Sequence, residues 1–124
     1  MKLFLPLTAM LLLGVPAKNC NETKKESRRL KAKLEIKAMC MNYTLRLEEG
    51  NLDTSLIVSK WKDDETGKTY ENVFGLANPC DFPSTIKQGD EFYFTIDTAK
   101  NRNCAVCMAY YPTPRKKLII KVIQ

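Results

Sequence analysis

Apolar and polar residues alternate along most of this chain, and the alternation predicts strands. In residues 30–40, Leu30, Ala32, Leu34, Ile36, Ala38 and Cys40 fall on one face, and Lys31, Lys33, Glu35, Lys37 and Met39 on the other. A period of two held over that length marks a half-buried strand, and a helical period fits it less well. Tyr43, Leu45 and Leu47 alternate with Thr44, Arg46 and Glu48 in a second strand that ends at Glu49-Gly50-Asn51. Residues 55–62 form a third, with Leu56 and Val58 opposed to Ile57, Ser59 and Trp61. The charged stretch 63–68 contains Thr66-Gly67 and reads as a hairpin connection. After the short apolar run 73–76 comes Cys80 between Pro79 and Pro83. The turn Gln88-Gly89-Asp90 then opens an aromatic strand, residues 91–97, in which Phe92, Phe94 and Ile96 oppose Tyr93 and Thr95. Val106, Met108 and Tyr110 give residues 104–111 a strand pattern, and residues 118–123 form a last strand. Ahead of all these, Asn21 or Thr23 is placed to cap a short helix running to Arg29. The pattern predicts one small, mainly antiparallel β domain with a short N-terminal helix.

The first residues change the picture of where this domain works. Lys2 followed by the apolar run 3–15, with Val15 and Ala17 at the end, has the form of a secretory leader cleaved after Ala17. This divides the chain into a signal peptide, 1–17, and a single domain, 18–124. The run is too short for a membrane anchor, which needs about 20 apolar residues. Loss of Lys2 with the leader takes 20 basic residues to 19 against 14 acidic, a net charge of +5. That balance favours polyanionic partners such as sulfated glycans; nucleic acid is excluded for an exported chain without a groove-reading motif. In an oxidising compartment the five cysteines, Cys20, Cys40, Cys80, Cys104 and Cys107, predict two disulfides and one odd thiol, with the connectivity open. The odd thiol could link a second chain. Asn21-Glu22-Thr23 and Asn42-Tyr43-Thr44 are N-glycosylation sequons.

The chain has no histidine. This removes the usual general base, the Ser-His and Cys-His nucleophile pairs and most catalytic zinc sites. Asp63, Asp64 and Glu65 are the tightest acidic cluster, and their place in a turn reads as a solvated loop. Cys104-x-x-Cys107 has the spacing of a redox motif or half a zinc site. A redox pair wants a helix N-terminus, however, and no second close cysteine pair exists to complete a zinc site. Structural disulfides to different, distant partners are the better reading. No enzyme activity, cofactor or metal is expected. Cys40, Trp61 and a later cysteine also suggest an immunoglobulin-like sandwich. Against it, the Cys40-to-Trp61 gap is long, and Arg102 stands where that fold's tyrosine would be.

A cysteine at the start of a charged, helix-like segment (20–29) leads here into a long first strand. Phe74-Gly75-Leu76, Pro79-Cys80 and a Gly89-Asp90 turn before an aromatic strand follow. This order resembles the netrin-like modules, the family of the agrin N-terminal domain, tissue inhibitors of metalloproteinases and complement C-terminal domains. The resemblance implies a five-stranded OB-type barrel with flanking helices, used as a binding platform. It also implies a Cys20–Cys80 bridge, which leaves Cys40 to pair with Cys104 or Cys107. Residues 104–107 do not align with the family pattern. A protease inhibitor of the metalloproteinase-inhibitor type and a cytokine- or toxin-like ligand are alternatives on the same scaffold. The inhibitors chelate zinc through a mature N-terminal cysteine, and cleavage after Ala17 would leave Lys18 and Asn19 ahead of Cys20.

Basic residues concentrate at the two ends. Arg28, Arg29, Lys31, Lys33 and Lys37 are expected to project from one face of the first strand, with Lys116 and Lys117 on the same side. The sequence thus predicts a secreted, glycosylated β-barrel that binds an extracellular protein or cell-surface receptor, with this basic face a candidate heparan sulfate site.

Overall fold

Strands form where the alternation is strongest. The computed structural model describes residues 29–97 and 104–123. The leader, the expected N-terminal helix, Cys20, Asn21 and Arg28 lie outside these. Seven strands make one sheet: β1 (Leu30–Lys37), β2 (Tyr43–Glu49), β3 (Val58–Lys62), β4 (Thr69–Leu76), β5 (Glu91–Ile96), β6 (Lys117–Leu118) and β7 (Ile120–Ile123). Their order is β3-β4-β2-β1-β5-β7, and β6 pairs with β4. All neighbours are antiparallel except β4 and β6. Since every strand belongs to a single hydrogen-bonded sheet, the two-sheet immunoglobulin alternative has no counterpart among the described residues.

The main core lies on the face that carries Leu34, Leu45, Phe74, Phe92, Phe94 and Leu118. Phe74 and Phe94 are fully buried, with ring centroids 5.7 Å apart. Gly50, at φ 102°, closes the β2 end against β1, and a Cβ there would stand 2.5 Å from Leu30 Cδ2. Only a residue without that carbon fits both constraints.

Two breaks in the alternation build a second, smaller core. Leu34 pairs with Leu45 but Ile36 pairs with Thr44, so Glu35 is an extra residue in β1. Beyond such a bulge the strand turns its faces over. Ile36 therefore leaves the face of Leu34 and joins Val58, Tyr70 and Val73, flanked by Trp61 and Tyr111. Tyr70 and Val73 meet in that cluster, three residues apart, because Asn72 sits at φ 54° between them.

Strand ends differ from the sequence expectation in ways that can be traced. β1 stops at Lys37, not Cys40, because a 3₁₀ turn at Met39–Met41 follows, with Cys40 and Met41 both at positive φ. Residues 55–57 are not strand: Asp53 caps a turn there, accepting from the backbone N–H of Ser55 (2.9 Å) and of Leu56 (2.9 Å). Residues 104–111 form no strand either; two disulfides and Pro112 fix them as an extended strap with no ladder partner. The final strand is two pieces that serve different neighbours, β6 on β4 and β7 on β5. Beside the junction, the buried Asn78 side chain accepts from the Ile120 N–H (3.0 Å) and donates to its carbonyl (2.8 Å), standing in for a strand neighbour.

Candidate functional site

Two features of the surface stand apart from ordinary solvated strands, and the first is an apolar corner held by both disulfides. Cys40 bonds Cys107 and Cys80 bonds Cys104. Cys104 and Cys107 thus reach different and distant partners. Cys80 is joined to Cys104, not to Cys20, which corrects the pairing implied by the family resemblance. The cause is the strap, which lays Cys104 against the 3₁₀ turn Pro79–Asp81. Both candidate odd thiols, Cys104 and Cys107, are thereby taken up.

The Cys40–Cys107 bridge brings the Met39–Met41 turn beside the strap. Five of the six exposed large hydrophobic side chains among the described residues belong to these two segments: Met39, Met41, Val106, Met108 and Tyr110. Met108 is 98% exposed and Tyr110 82%. Next to them opens a cleft of about 640 Å³, walled by Cys40, Met41, Leu76, Pro79, Val106 and Ile119, with Lys117 as its one charged lining residue. Asn42 ties the two segments together: its Nδ2 donates to the carbonyls of Met39 (2.9 Å) and Ala109 (3.1 Å). Both amide hydrogens of the second sequon are therefore in use, and the hydroxyl-bearing Thr44 is fully buried.

The second feature is the distribution of the basic residues, which the fold does not collect as the sequence suggested. Lys31 stands on the outer face of β1 but is paired with Glu91 (3.2 Å) and Glu49 (4.0 Å). The hydrogen bond and charge of Glu91 raise its pKa. Arg29 and Lys31 both lie over the Tyr93 ring, 5.2 and 5.8 Å from its centroid. Lys37, beyond the bulge, pairs with Tyr43 and turns to the opposite face from Lys33. Its amine donates to the Ser84 (3.4 Å) and Ile86 (2.9 Å) carbonyls. Lys116 donates to the Ser55 carbonyl, and Lys117 borders the apolar cleft. Lys33 remains on the outer face, beside Arg46 of β2.

Sequence reasoning missed what does gather there. Lys33, Glu35, Arg46, Lys60, Lys68 and Glu71 line a groove across β1, β2, β3 and β4. Arg46 is bonded through Nε (3.1 Å) and Nη2 (2.6 Å) to Glu48, which raises its pKa. Burial raises the pKa of the Tyr70 hydroxyl in the groove wall, and the charges of Glu35 and Asp63 add to the shift. Lys33 apart, nothing in the sequence signals this grouping.

Asp63 proves not to be part of a solvated loop, although its neighbours Asp64 and Glu65 are exposed. It is fully buried, accepts the Tyr111 hydroxyl at 2.7 Å and caps the hairpin turn through the Glu65 N–H at 2.9 Å. Burial alone would raise its pKa, but the hydrogen bonds from Tyr111, Glu65 and Thr66 outweigh it and hold the carboxyl low. The same bond pushes Tyr111 up to about 12. The pair clips the strap to the β3–β4 hairpin and is structural.

Among the described residues, no helix is long and apolar enough to cross a membrane, and no three metal-ligating side chains cluster. Comparison with protein-family models, curated proteins and solved structures finds no match.

Proposed function

We propose that this chain is a secreted, disulfide-stapled binding module of netrin-like, OB-type architecture that engages a protein in the matrix or on a cell surface. The barrel reading is supported by the pairing pattern. β1 pairs with β2, β2 with β4, β4 with β6, β7 with β5, and β5 with β1. Because β6 and β7 are consecutive pieces of residues 117–123, one closing segment touches both β4 and β5, which supports a partly open OB-type barrel. Two disulfides suit an oxidising compartment.

The observation that carries the binding reading is the apolar corner. Soluble proteins seldom leave a contiguous group of large apolar side chains in water unless something docks on it. Here the backbone beneath the group is fixed by a disulfide and by Asn42, so docking would order little that is not already ordered. The occupant this suits is a protein face that presents apolar side chains to Met41, Val106 and Met108, and a carboxylate to Lys117. Sulfated glycan assists as a second contact.

The test is capture from extracellular matrix and cell-surface extracts, followed by purification of the bound protein and direct titration. Wild type should bind it. Met39→Glu with Met108→Glu, both exposed positions, should weaken binding at least a hundredfold without loss of fold. Equal affinity of the variant would place the partner elsewhere.

A further inference from the structure

The outer-face groove contains an acceptor, Glu35 Oε1, that has ion-pair contacts but no hydrogen bond among the described residues. Glu35 is the bulge residue of β1, and its side chain is only 9% exposed. Its Oε1 is buried without a hydrogen bond. Arg46 Nε at 3.4 Å and Lys33 Nζ at 3.8 Å supply charge near it, but the Arg46 donors are directed to Glu48 Oε1. A buried carboxylate oxygen left in this state is a standing demand for an O–H or N–H donor.

The groove walls make the opposite demand. The volume is about 490 Å³. Lys60 reaches it from β3 and Lys68 from the hairpin turn just ahead of β4, and neither has an ion-pair partner among the described residues. Lys68 lies over the Tyr70 ring, 5.0 Å from the centroid, which fixes its amine at the wall. Lys33 adds a third cation from β1. Glu71 is the one further acidic group lining the groove.

A bare anion would meet Lys60 and Lys68 but would also face the Glu35 carboxylate. A neutral sugar would satisfy Glu35 and leave the cations idle. We infer that the groove binds one unit of an anionic glycan, with a ring hydroxyl donating to the Glu35 carboxylate and an adjacent sulfate or carboxylate lying between Lys60 and Lys68. The site differs from the basic face anticipated from sequence, of which only Lys33 takes part. It deepens the glycan-assisted reading above and rests on the extracellular assignment only for the source of the ligand.

The probe is a size-defined heparin hexasaccharide, with its desulfated form as control, titrated against the whole secreted chain by calorimetry and backbone NMR. Binding of the sulfated form, with shifts centred on residues 33–35, 46, 60 and 68–71, is expected; the desulfated form should bind at least tenfold more weakly. Lys60→Ala with Lys68→Ala should weaken binding at least tenfold, and Lys116→Ala with Lys117→Ala should leave it unchanged. Glu35→Gln gives the sharpest arm. It raises the net charge, so simple attraction predicts tighter binding, whereas loss of the charged acceptor predicts weaker binding, here by about fivefold or more. Tighter binding by Glu35→Gln would overturn the role of the groove floor. Binding that depends on Lys117 and not on Lys60 and Lys68 would overturn the site while leaving a glycan-assisted module standing. No binding of the hexasaccharide at millimolar concentration would overturn the glycan ligand altogether, and the apolar-corner titration would still decide the protein partner.

Discussion

Replacing Asp63 tests whether the strap is held by the buried clip or by the disulfides alone. The wild-type carboxylate accepts the Tyr111 hydroxyl and the Glu65 N–H at full burial. Hydrogen bonds to a charged group contribute about 1.5–3 kcal/mol each, and Asp63→Ala removes these two together with that from Thr66. The expected loss is about 3–4 kcal/mol, or roughly 12–30 °C in Tm for a domain of this size. Asp63→Asn keeps one acceptor for Glu65, so it should lose about half as much. The charge has its own signature. A carboxyl whose folded pKa lies below its unfolded value, about 3.9 for Asp, stabilises the fold above that value and ceases to do so as pH falls through the lower, folded one. Urea titrations of wild type and Asp63→Asn at pH 7, 4 and 2.5 should therefore converge toward the acid end. A gap between the two that is unchanged from pH 7 to 2.5, or an Asp63→Ala loss under about 1 kcal/mol, would refute the clip.

Further expectations follow from the same geometry. Spectroscopic titration should find one tyrosine, Tyr111, ionising near 12; its raised pKa means that the stability it lends is whole below the unfolded value and is lost as pH climbs toward that figure. Non-reducing peptide mapping should recover Cys40–Cys107 and Cys80–Cys104, with the remaining thiol at Cys20. Changing Cys40 and Cys107 to Ser opens a 67-residue separation and should cost about 4 kcal/mol by the chain-entropy relation, read by urea unfolding. Asn42 should be found without glycan by mass spectrometry of the secreted protein, since a sugar on Nδ2 displaces a hydrogen that Met39 or Ala109 needs. Gly50→Ala should lose more than about 1 kcal/mol, from the combined strain of positive φ and the Leu30 contact.

Much of the fold was legible because the strands are two-faced. The alternation placed β1, β2, β5 and the closing strand within a few residues, and Thr66-Gly67 marked the hairpin. What escaped detection was where the alternation fails. A bulge has no composition of its own: nothing in Leu34-Glu35-Ile36 says that Glu35 lacks a ladder partner, so the alternation alone puts Lys37 on the face of Lys33 and predicts one basic surface. The second core depended on that same inversion and on Asn72. Residues 104–111 have β-favouring side chains, but propensity decides little when cysteine links and prolines fix the path. The acidic turn has the composition of a solvated loop, and the Tyr111 hydroxyl that Asp63 accepts lies 48 positions away. Of the candidate groove, only Lys33 was visible in the sequence; the rest is assembled by β2, β3 and β4.

The split of residues 117–123 between two neighbours has a consequence in time. β6 pairs with β4 at Gly75 and β7 with β5 at Ile96, so the last stretch of strand to be synthesised touches strands on both sides of the central β2–β1 pair. Until it arrives, β5 presents an unpaired edge and β4 an unpaired end at Gly75–Leu76, the form of strand that recruits foreign strands most readily. Contacts of such long sequence separation form late, after their loop-closure entropy has been met. The sheet would therefore stand without that last neighbour until residues 117–123 emerge. The bridges from Cys80 to Cys104 and from Cys40 to Cys107, whose cysteines all precede that strand, can form first and narrow the gap it has to cross.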